Sequence, residues 1–118
     1  MAKDTNFPIY KPVYELLQIV TRLTGKFDKT FKYTLGDKLS QEAVNLAVLV
    51  FRAKSSKESI TPDMLASVEV IELLCRLSKD LRQIDIKQFS EIVMLTDSII
   101  RKGQCEIITE TSLEIRNV

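Results

Sequence analysis

Residues 34–54 read "TLGDKLSQEAVNLAVLVFRAK", and the fold turns on this stretch. Leu35, Leu39, Ala43, Leu46, Ala47 and Val50 fall on one face of an α-helix. Val44, Val48 and Phe51 add a second stripe, so the run "AVNLAVLVF" is apolar nearly all round. A helix of that kind is buried on more than one side. In a chain of 118 residues the second cover is expected from another subunit. Asn45, set inside the run, needs a hydrogen-bond partner. Thr34 suits the N-cap, and Asp37 can answer it from the third helical position. Gly36 in that first turn, with Lys29, Lys32 and Lys38 around it, serves either close packing against a neighbouring segment or the approach of an anion. Packing is the stronger of the two readings.

Outward from this helix the same period recurs. Val13, Leu16, Leu17, Val20, Leu23 and Phe27 predict a helix over 13–27, with Pro12 in its first turn and Gly25 near its end. After the loop "KSSKESITPD", Thr61 caps a third helix with Pro62 at its first position and Asp63 near the positive end of the dipole. Met64, Val68, Ile71, Leu74, Cys75, Leu77 and Leu81 carry it to about residue 83. Asp85 and Gln88 form an Asp variant of the capping box for a fourth helix. Phe89, Ile92, Val93, Thr96, Ile99 and Ile100 line its inner face, and Gly103 reads as its stop. The longer links fall at 27–34 and 54–61. The expected architecture is all-α, an up-down-up-down antiparallel four-helix bundle over residues 1–103. Residues 104–118 alternate in strand-like fashion and are rich in β-branched side chains, so an irregular or strand-like tail is expected. A lone strand cannot satisfy its own backbone, which leaves the tail disordered or paired with another chain.

Composition narrows the chemistry. The chain has no histidine, which removes the usual Cys/His zinc sites and the common general base near neutral pH. Glycine-rich phosphate loops are absent, since Gly25, Gly36 and Gly103 are isolated. Glu69 and Glu72 read as a solvated pair. A non-enzyme without cofactor or metal is expected. Cys75 lies in an apolar stripe and reads as core, while Cys105 reads as a free cytosolic thiol. No apolar run reaches membrane-span length, and "MAKDTNFPIYK" has no signal-like apolar core, so a cytoplasmic protein is expected.

Net charge is +1, but it is unevenly spread. Residues 1–57 hold ten Lys/Arg against five Asp/Glu, and residues 58–118 hold seven against eleven. Three basic groups stand out. Lys26, Lys29, Lys32 and Lys38 are interleaved with Phe27, Phe31 and Tyr33, a pattern that can hold phosphates and stack bases, or simply plug the bundle end beneath solvated lysines. Arg52, Lys54 and Lys57 close the second helix, where cations also suit the dipole. Arg76, Lys79 and Arg82 form a row on the third, with Glu72 and Asp80 close enough to offset it.

With four helices placed, "PIYKPVYELLQIVTRLTGKF" followed by "FKYTLGDKLSQEAVNLAVLVFRA" resembles the small four-helix-bundle proteins related to those encoded in intervening sequences of bacterial 23S rRNA genes. Within that group, "YTLGDKL", "RAKSS" and "LLCRLSKDLRQIDIKQFSEI" are most similar to the accessory variability proteins of diversity-generating retroelements. The resemblance covers about residues 8–102 and implies a homopentameric ring that binds RNA and/or DNA and a reverse transcriptase. Carried over by position, it points to Arg22, Lys26, Lys29, Lys32, Lys38, Arg52, Arg76, Lys79 and Arg82 as nucleic-acid contacts. The alternative is a protein-interaction scaffold of the same fold with no nucleic-acid partner.

Overall fold

Leu39, Ala43, Leu46 and Val50 are buried, and they meet Val13, Leu16 and Val20 from one side and Met64, Val68, Ile71 and Cys75 from the other in a single core. The computed structural model describes residues 9–53 and 60–117, with side chains described as far as residue 103. Four helices follow one another. These are α1 (Tyr10–Thr24), α2 (Lys29–Phe31, a π-helical turn Lys32–Gly36, then Asp37–Arg52), α3 (Pro62–Asp80) and α4 (Ile86–Asn117). α1 and α3 each pack against both α2 and α4, the neighbour pattern of an antiparallel up-down-up-down bundle.

The beginning of α2 differs from its sequence reading. Thr34 is not the cap; its hydroxyl donates back to the carbonyls of Thr30 and Phe31, both at 3.4 Å. The chain turns earlier, at Asp28, whose extended backbone (φ −56°, ψ 146°) precedes Lys29. The link between α1 and α2 is therefore residues 25–28, shorter than the expected 27–34. Phe31, Leu35, Leu39 and Ala43 recur every four residues, slightly more than one α-helical turn, so a straight α-helix would swing this stripe off the core. A wider π turn takes up that drift. Gly36 ends the π turn, buried. A Cβ there would lie 3.3 Å from the Phe27 ring and 3.4 Å from the Phe31 carbonyl, so close packing accounts for the glycine.

The other helix starts stand as read. Thr61 Oγ1 accepts from the Met64 N–H at 3.2 Å, with Pro62 opening α3. The Asp85–Gln88 box closes in both directions: the Gln88 N–H donates to Asp85 Oδ1 at 2.7 Å, and the Asp85 N–H donates to Gln88 Oε1 at 2.9 Å. α3 ends at Asp80 rather than near residue 83. Its last carbonyls are closed by Arg82 N–H to Lys79 O at 2.9 Å and Gln83 N–H to Ser78 O at 2.8 Å. That is a Schellman ending, and it holds Arg82 at φ 61°, in the left-handed region where glycine is usual.

Gly103, read as a stop, lies inside α4, and the helix continues through residues 104–117, where an irregular or strand-like tail was expected. A helix already nucleated adds one hydrogen bond for each further residue, and that outweighs the weak β preference of alternating side chains. The glycine has a packing role instead. A Cβ there would meet the Ile60 Cβ at 2.5 Å. Among the described residues, side-chain hydrogen bonding ties each successive helix pair. Thr24 Oγ1 meets Ser40 Oγ at 3.0 Å, Ser67 Oγ donates to Glu42 at 2.6 Å, and Thr96 Oγ1 donates to Glu72 at 2.7 Å. Glu72 is thus half-buried and engaged rather than simply solvated, and Asn45, itself exposed, finds its partner in Glu42 at 3.1 Å.

Candidate nucleic-acid interface

The antiparallel topology brings four helix termini together: the ends of α1 and α3 and the beginnings of α2 and α4. Two of those termini point positive dipole ends outward and two negative, so the backbone field there largely cancels and side chains decide the sign. Arg22, Lys26, Lys29, Lys32, Lys79 and Arg82 all come from these termini and the connections between them. Lys32 and Lys79 are half-buried; the other four are exposed. Arg76 lies about one turn below Lys79 and Lys38 farther along α2, both exposed. Arg52 closes α2 at the opposite end of the bundle and does not join the group. Lys54 and Lys57 lie outside the described residues. Lys87, in the first turn of α4, does join it, although it is fifty-five residues and more away from the lysines of the first link.

The two connections are tied directly. The Asp28 N–H donates to Gln83 Oε1 at 2.7 Å, and Gln83 Nε2 donates to the Asp28 carboxylate at 3.2 Å and to the Leu81 carbonyl at 3.0 Å. Asp28 and Asp85 at this end are thus occupied in closing turns. Among the described residues, only Lys79 of the gathered cations has an acidic partner, Asp80 at 3.5 Å, and its ammonium also lies 5.2 Å from the Phe89 ring centroid. Phe27 is buried and Phe31 half-buried, so these rings plug the bundle end; Tyr33 alone of the three stands out.

The surface between α1 and α2 is apolar. Tyr10, Tyr14 and Leu17 of α1 and Val44, Ala47 and Val48 of α2 line a groove of about 320 Å³, with the two tyrosine rings stacked at 6.4 Å. The second stripe of α2, which the sequence assigned to further burial, lies here and is exposed within the single chain. On the far side Leu73 and Leu77 of α3 are exposed as well. Cys75 is fully buried; desolvation, with the Glu72 carboxylate adding to it, pushes its thiol up to about 12. The expectation for Cys105 falls on a side chain outside those described. Among the described residues no cluster of His, Cys, Asp and Glu could hold a metal ion, and no helix is long and apolar enough to cross a membrane.

No known protein family, curated protein or solved structure matches the chain.

Proposed function

We propose that the chain is a non-catalytic, oligomeric accessory protein whose cationic end binds the phosphates of RNA or DNA. The observation that carries this reading is Arg82. A left-handed arginine costs roughly 1 kcal/mol relative to the glycine that such a helix ending favours. The chain keeps a cation there, beside Lys79 and across the Asp28–Gln83 hydrogen bonds from Lys26 and Lys29. A charged side chain held at a strained backbone position supports a contact role.

On the sequence resemblance, the place of this activity is a diversity-generating retroelement, with a reverse transcriptase as the protein partner and a homopentamer as the assembly. Ring symmetry repeats each cationic end, so a chain of net charge +1 still presents a strong local field. The exposed stripe of Val44 and Val48 with Tyr14 supports an assembly face. The same apolar face also favours the second reading, a scaffold that binds only proteins. Titration of fluorescent RNA and DNA across a salt series separates the two. The first reading expects affinity to fall linearly on a log–log scale, with a slope that shrinks when Lys29, Lys32 and Arg82 are reversed to Glu. Absence of binding at low salt leaves the scaffold.

A further inference from the structure

The π turn Lys32–Gly36 leaves Tyr33 64% exposed, while Leu35 two residues on is buried. π turns are rare in helices and concentrate at functional positions. The ring borders a groove of about 650 Å³ between the beginning of α2 and α3, with Leu35, Leu74 and Leu77 as its apolar surface. Asp37 and Gln41 line the same groove, as does Lys38. The Lys32 ammonium sits 5.8 Å from the Tyr33 ring centroid. An exposed ring and leucine side chains suit the faces of a flat heterocycle. A carboxylate and an amide suit the donors and acceptors along its edge, and two ammonium groups suit phosphates on either side.

We infer that this groove takes an unpaired nucleobase of a single strand, stacked on Tyr33, with its edge toward Asp37 and Gln41 and its flanking phosphates on Lys32 and Lys38. The inference rests on the nucleic-acid reading above and narrows it. A base within a duplex is already stacked on both faces and offers no free ring to Tyr33. Duplex therefore meets only the lysines and arginines, and single strand meets both.

The test uses the full chain with labelled oligouridylate and oligothymidylate of about ten nucleotides, a length within the span of single-strand sites, and a duplex of equal length. Tyr33→Ala is expected to weaken single-strand binding by about tenfold, the scale of one base–aromatic stack, and to leave duplex binding within about twofold. Tyr33→Phe should bind as the parent does. The chain has three tyrosines and no tryptophan, so its ultraviolet emission is tyrosine emission. A saturating single strand should quench a fraction that Tyr33→Phe lacks. If Tyr33→Ala changes neither ligand, or weakens both equally, the base site is overturned and the electrostatic reading stands. If neither ligand binds at low salt, both fall together.

Discussion

Gly103 and Ile60 touch where α4 passes the beginning of α3: a Cβ on Gly103 would lie 2.5 Å from the Ile60 Cβ and 3.0 Å from its backbone nitrogen. Neither partner atom is the end of a flexible side chain, so the contact has little room to relax. Elsewhere in a helix, glycine to alanine gains about 1 kcal/mol. Here the clash reverses the sign. Gly103→Ala is expected to destabilise the bundle by about 1–3 kcal/mol, the usual range for overpacking, and to lower the melting temperature by several degrees. A melting temperature that rises would show that α4 and the segment leading into α3 are not in contact at this point.

Arg82 carries opposite expectations for stability and binding. Arg82→Gly relieves the left-handed backbone and should raise stability by about 1 kcal/mol. The same change removes one phosphate contact, so the slope of log affinity against log salt should shrink by about one. Denaturant unfolding and a salt-series titration measure the two separately. An unchanged slope would take Arg82 out of the interface.

Cys75 is expected to be inert while the chain is folded. In a Cys105→Ser background, a thiol reagent at pH 8 should react only after unfolding, because the buried thiol stays protonated. The pH dependence follows in sign. The unfolded thiol ionises near 9.0 and the folded one only near 12. Its protonated form therefore costs no stability below pH 9, and stability is lost as pH rises from 9 toward 12, by about 1.4 kcal/mol per pH unit. Cys75→Ala should lack this loss, so the stability difference between the two proteins should shrink or invert across that window. Parallel curves would contradict the burial.

Val48 tests the proposed assembly face. It is 39% exposed beside Tyr14 and Val44, so Val48→Glu should leave the monomer folded, within about 0.5 kcal/mol. It should, however, convert an oligomer to smaller species in analytical ultracentrifugation. A variant that sediments with the parent would place the subunit contact elsewhere.

Helices whose signals are local were legible. The Asp85–Gln88 box and the Thr61–Pro62 start each involve residues within one turn, and each has the hydrogen bonds its sequence announces. The core stripe of α2 was equally plain, because a buried face must repeat with the helical period. The beginning of α2 was not legible. Thr34 carries the chemistry of a cap, but the four-residue spacing from Phe31 to Ala43 calls for an earlier turn and a π insertion. Gly103 has the composition of a stop, and only Ile60, packed against it from the segment leading into α3, shows that it is a point of contact.

The candidate site divides in the same way. The lysines of the first link could be grouped from sequence because they are close along the chain. Lys79 and Arg82 joined them, Lys87 was added and Arg52 dropped out only through the antiparallel arrangement of the helices. Sequence by itself determined four amphipathic helices, an apolar α2 with more face than one chain can cover, and an absence of histidine chemistry. Tertiary structure decided which termini share an end, which glycines are contacts and which aromatic of the first link stands in solvent. Hydrophobic periodicity is a property of neighbours along the chain, whereas juxtaposition of charges and fit of backbones depend on residues far apart in it.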